Sequence, residues 1–118
     1  MSNEIKTISL ALLFFVSMIL SAASPAQTAV GPINLTQVNT GWNSDEISVG
    51  TGAPAINPAT CPMTDLYVTE SGAPGNRSHY AAALTALANG LAVVIVVANQ
   101  GCSSDGRPKI WGITIYKK

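Results

Sequence analysis

The chain has 118 residues, of which 47% are hydrophobic and only 10% charged, and its acidic and basic side chains balance to a formal net charge of zero. Nucleic-acid binding needs a stripe of Lys and Arg to neutralise phosphates, and this composition argues against one. Sparse charge also leaves little repulsion between copies, so self-association is expected to be easy.

The first element in chain order reads as a targeting segment. A short polar lead, Met1 to Lys6, precedes the apolar block "TISLALLFFVSMIL", Thr7 to Leu20, and the small-residue stretch "SAASPAQTA". That is the three-part plan of a secretory signal peptide, and the block is too short to span a bilayer comfortably. Small residues fit cleavage after Ala23 or after Ala26; residues 1–29 are assigned to the signal, with the cut inside 23–29. An uncleaved N-terminal anchor is the alternative. No later apolar segment is long enough to cross a membrane. The mature chain is therefore expected to have no membrane span and to be secreted or periplasmic.

Residues 30–118 are expected to form a single domain, small enough to be marginal without extra support. Cys61 and Cys102, sent to an oxidising compartment, read as one disulfide. Closing a loop of about 40 residues would stabilise the domain by roughly 4 kcal/mol in the chain-entropy model. Two distant cysteines and the lone His79 lack the close ligand spacing of a metal site. Neither metal nor cofactor is expected.

Val30 to Pro32 reads as a tether. Ile33 to Trp42 alternates imperfectly and predicts a first strand, with a turn at Asn43 to Asp45. Glu46 to Gly50 predicts a second strand, and the Gly- and Pro-bearing "TGAPAINPAT" a loop. Thr64 to Glu70 predicts a third strand. Asn76 stands as an N-cap before the helix "RSHYAAALTALANG", with Tyr80, Ala83, Leu84, Leu87 and Ala88 as its apolar stripe and Gly90 as a left-handed cap.

Leu91 to Ala98 is an unbroken apolar run rich in valine and predicts a fourth strand. Successive side chains of a strand point to opposite faces. Val93, Ile95 and Val97 therefore cannot share one small core with Val94, Val96 and Ala98. One set needs a second cover, either the helix or another subunit. A polar loop, "NQGCSSDGRP", leads to a fifth strand, Lys109 to Tyr116, with Trp111, Ile113 and Ile115 on one face. The order β-β-β-α-β-β defines a mainly β fold with one helix and predicts a small OB-type Greek-key barrel stapled by one disulfide.

The segment "YAAALTALANGLAVVIVVANQGC…GRPKIWGITIY", Tyr80 to Tyr116, resembles the receptor-binding B subunits of bacterial A–B toxins, in the subtilase cytotoxin and pertussis-like branch. The shared cadence is an aromatic-led Ala/Leu helix, a Gly, a strand, a loop with cysteine, then Pro and an Ile-rich final strand. Before Tyr80 only the strand order and the position of Cys61 agree. The resemblance implies a secreted OB-fold subunit, a homo-oligomer in the form of a ring of five, a separate catalytic A chain, and a cell-surface glycan as ligand. No sugar-contacting motif aligns residue by residue, so no binding residue carries over.

Catalysis finds little material. His79 has no nucleophile placed for it, Asp45 and Glu46 are adjacent and would point to opposite faces of a strand, and "GTGAPA" lacks the Lys of a phosphate loop. An enzyme is not expected. Binding has better candidates, because a small ligand is held by a few convergent polar groups on an apolar wall. Trp42, Asn43 and Asp45 offer these types at one turn; Asn99, Gln100, Ser103, Asp105 and Arg107 offer them in the loop tied by Cys102. Ordinary polar loops, with Trp42 or Trp111 filling the core, are the alternative. The expected function is a secreted, non-enzymatic binding subunit that oligomerises and recognises cell-surface glycans. The rival is a monomeric exported inhibitor or interaction domain that binds a protein partner.

Overall fold

The computed structural model describes residues 26–41 and 44–118. The signal segment up to residue 25 and the candidate site residues Trp42 and Asn43 lie outside the described residues. The elements are β1 (Gln27–Asn34), β2 (Gln37–Thr40), β3 (Ile47–Gly50), β4 (Tyr67–Val68), α1 (Asn76–Asn89), β5 (Ala92–Cys102) and β6 (Pro108–Ile115). Among the described residues they build a mainly β fold with one helix. The strands form a six-stranded sheet in the order β1-β5-β6-β4-β3-β2. All neighbours are antiparallel except β4 and β6, which run parallel through the single pair Val68–Lys109.

The two strands at the ends of that order are consecutive in sequence. Only Leu35 and Thr36 separate β1 from β2, and Leu35 turns into the core at 7% exposure. The expected first strand, Ile33 to Trp42, is thus two strands, and the expected tether at Val30 to Pro32 lies inside β1. The Gly-Pro pair that suggested a tether marks a ladder irregularity: the register to β5 shifts between Val30 and Ile33. Gly31 sits at φ +123°, and a Cβ there would approach the Val93 carbonyl oxygen at 2.6 Å. Only glycine fits so close a backbone approach. Because β1 begins at Gln27, a domain boundary at Val30 falls within the strand, whereas cleavage after Ala23 or Ala26 leaves the strand whole.

The core alternates as period-2 geometry requires. Val93, Ile95 and Val97 of β5 are fully buried and meet Val30, Leu35, Ile47, Val49, Tyr67 and Ile110. Val94 and Val96 point the other way and are half-buried. The third strand shortens to Tyr67–Val68, and side-chain bonds anchor it to the neighbouring segments. Thr69 Oγ1 accepts from the Ile47 N–H at 2.9 Å, and the Tyr67 hydroxyl accepts from the Ile56 N–H at 2.8 Å. Burial pushes the Tyr67 phenol pKa above its ordinary value.

Helix α1 packs against β2, β3 and β6. Ala83 and Ala86 are buried at 0% and 1% exposure, and their small size lets the helix lie close to the sheet. Asn76 is not the N-cap. Gly75 caps the helix at φ 91°, and Asn76 is the first helical residue, buried at 3% exposure. Its Nδ2 donates to the Glu70 carbonyl at 2.8 Å, so a tertiary contact has claimed a side chain that local preference would assign to capping. Tyr80, Ala83 and Leu87 face inward as expected, but Leu84, at 44% exposure, and Ala88 face solvent. Gly90 ends the helix in the left-handed region at φ 63°, as the sequence predicts.

Strand β5 runs on to Cys102, so Asn99 and Gln100 belong to a strand and not to the expected loop. In β6 a second irregularity intervenes: Val96 pairs with Gly112, but Val97 pairs with Ile110. Trp111 is the extra residue and stands 48% exposed, while Ile110 turns into the core. The simple alternation expected for this strand fails at that point. Cys61 and Cys102 are disulfide-bonded, with their Cα atoms 5.7 Å apart.

Candidate functional site

An open cleft of about 800 Å³ lies across β2, β3 and β4. Antiparallel pairing puts Asn39 opposite Ser48 and Gln37 opposite Gly50, so the polar side chains of β2 and β3 share one face. Asn39 Nδ2 donates to Ser48 Oγ at 3.0 Å. The hydroxyl proton of Ser48 is then left to seek an acceptor elsewhere. Val38, Ile47, Leu66 and Val68 supply the apolar part of the lining. Gly50 makes room: a Cβ at that position would come within 2.7 Å of Gln37 Cγ and 3.0 Å of Leu66 Cδ2.

One rim comes from the turn after β2. Gly41 and Glu46 both line the cleft, and their backbones close the turn through Gly41 N–H donating to the Glu46 carbonyl at 2.6 Å. The other rim is the loop between β5 and β6, which brings Asp105 and Arg107 to the cleft. Arg107 Nε and Nη2 donate to the two carboxylate oxygens of Asp65 at 2.7 and 3.0 Å, and Nη1 donates to Asp105 at 2.7 Å. Ser103, buried at 5% exposure, donates its hydroxyl proton to the other Asp105 oxygen and accepts the Arg107 N–H. The Arg107 guanidinium holds the Asp65 carboxyl below its ordinary pKa, and Asp65 foremost raises that of Arg107. The rim is also tied to the 57–65 segment by the disulfide and by Met63 N–H donating to the Gly106 carbonyl at 3.0 Å.

Of the residues expected to bind, Asp105 and Arg107 meet at the cleft. Asp45 lies just outside it, where its carboxylate accepts the Gly72 N–H at 2.7 Å, a bond that lowers its pKa. Beside Asp45, Asn76 and Tyr80 border a smaller hollow of about 220 Å³. Asn99 is bonded to Thr28 across the β1–β5 pair, and Gln100 is exposed on β5; neither lines the cleft. Gln37, Asn39 and Ser48 were missed by sequence reasoning. Their polar character was visible, but only the β2–β3 register shows that they converge.

The single histidine, His79, stands half-buried on α1, does not line the cleft, and has its pKa lowered by burial. Among the described residues no cluster of His, Cys, Asp and Glu could hold a metal ion, and no helix is long and apolar enough to cross a membrane. No protein-family model, curated protein or solved structure matches the chain.

Proposed function

We propose that the protein is a secreted, non-enzymatic binding subunit, an OB-type barrel that assembles with copies of itself and engages cell-surface glycans. The observation that carries this reading is the cleft. Amides and hydroxyls from paired strands converge beside carboxylates and a guanidinium, over an apolar floor, on a scaffold held by a disulfide. Such an arrangement suits a ligand that presents many hydroxyls. The strand order, with β1 and β2 consecutive at its two ends, is compatible with the barrel. The formed disulfide fits export to an oxidising compartment.

Self-assembly draws its support from the outer face of β5. Val94 and Val96 stand half-buried there beside Ala29 and Gly112, while α1 packs against β2, β3 and β6. A ring of five would cover that face and leave the cleft for ligand, and a catalytic chain would be its cargo. The test is light scattering on the exported chain followed by a glycan array. Mass near five chains, with array binding abolished by Asn39→Ala with Ser48→Ala, is the expected result. A monomer that binds no glycan would overturn the reading and favour the rival, an exported inhibitor or interaction domain.

A further inference from the structure

The charge arrangement of the cleft narrows its ligand, taking the glycan reading as the starting point. Among the described residues that line the cleft, Arg107 is the only cation, and its positive charge is already spanned by two carboxylates. Three of its five N–H donors are committed to Asp65 and Asp105. Glu46 adds a third carboxylate on the opposite rim. Set against the single guanidinium, these three acids leave the site with uncompensated negative charge. Lys109 offers no relief, since it faces Glu70 at 3.8 Å.

We propose that the cleft takes uncharged saccharides through their hydroxyls and discriminates against sugars that carry a carboxylate. A sugar hydroxyl donates to Glu46 or Asp105, while the amides of Gln37 and Asn39 and the hydroxyl of Ser48 complete the contacts with neutral donors and acceptors. An acidic sugar meets like charge at the rim and finds no free cation to pair with. To bind Arg107 it would have to compete with Asp65 and Asp105, whose carboxylates already neutralise the guanidinium and hold three of its five N–H donors.

The test is a panel of matched neutral oligosaccharides with and without a terminal sialic acid, titrated into the mature chain and followed through the Asn39 and Ser48 amide resonances. Each neutral member that binds is expected to do so about tenfold tighter than its sialylated partner at low salt, with the gap closing as salt rises. Asp105→Asn should narrow the gap. Because Asp105 also holds Ser103 and Arg107, Glu46→Gln serves as a second variant that leaves that network intact. Equal or tighter binding of the sialylated members, or a gap that neither variant changes, overturns this inference and leaves the glycan reading standing. No response to any member, neutral or acidic, brings down the glycan reading and this inference with it.

Discussion

Removal of the disulfide is the sharpest perturbation, because its effect follows from chain length. The bridge joins residues 41 apart in sequence, and the enclosed chain carries β4, α1 and nearly all of β5. Constraint of a loop that long in the unfolded state is worth about 4 kcal/mol in the chain-entropy model. The total stability of a domain this small is about 5–15 kcal/mol, so the double variant Cys61→Ala with Cys102→Ala should lie near the edge of folding. With a urea slope of about 2 kcal/mol per M, the midpoint falls by about 2 M. The assay is urea unfolding by far-ultraviolet circular dichroism, with the oxidised and reduced wild-type chain beside the variant. A drop under about 0.5 M would refute the reasoning, because the rim contacts would then hold the two segments together unaided. Hydrogen exchange at Met63 and Arg107 gives a second reading. Both amides donate into this rim and should lose protection with the bridge.

Three further outcomes follow from the fold. A chain starting at Val30 loses the pairs of Gln27, Thr28 and Ala29 with β5 and the bond from the Asn99 N–H to the Ala26 carbonyl. It should be less stable to urea by about 2–3 kcal/mol than a chain starting at Ser24, and mass spectrometry of exported protein should find a cut upstream of Gln27. Gly50→Ala should displace Gln37 from the cleft and weaken ligand binding several-fold in a titration, with little change in melting temperature, because the crowded atoms belong to side chains that can move. Burial holds the pKa of His79 below its ordinary 6.5, so the unfolded chain takes up the proton first and this contribution to stability, complete above 6.5, is lost as pH falls through the lowered folded value. His79→Gln should therefore flatten the decline of melting temperature from pH 7 to 5; an unchanged slope would place the dependence elsewhere.

Sequence pattern reached those elements in which local geometry and tertiary burial agree. The run Leu91 to Ala98 announced a strand with two apolar faces, and Val93, Ile95 and Val97 do fill the core. Gly90 could be assigned from its place after an Ala/Leu helix. Pattern failed where an inserted residue resets alternation. After the irregularity at Trp111 every side-chain direction in β6 is reversed relative to simple counting, and Gly31-Pro32 disguised a strand as a tether. It failed again at Asn76, whose local preference for capping lost to the Glu70 carbonyl. The cleft was half legible. Asp105 and Arg107 stood out as polar groups near a cysteine, but Asp65, 42 residues from Arg107, becomes its partner only through folding. Gln37, Asn39 and Ser48 needed the β2–β3 register, which the turn expected at Asn43 to Asp45 does not by itself fix.

The placement of β1 also bears on how the chain acquires its structure as it is made. The first strand of the described chain hydrogen-bonds to β5, in which Gln27 meets Ala98 and Asn34 meets Ala92. A growing chain therefore presents β1 long before its partner exists, and the intervening β2, β3, β4 and α1 can settle against one another only in part until β5 and β6 arrive. Closure is a late event joining distant segments, and such pairings are slow to form because loop entropy must be overcome first. The half-finished molecule exposes Val30 and Ile33 beside unpaired backbone groups, the kind of edge on which nascent chains aggregate. Holding β1 apart from like segments until synthesis reaches Ile115 is a requirement that the finished fold no longer displays.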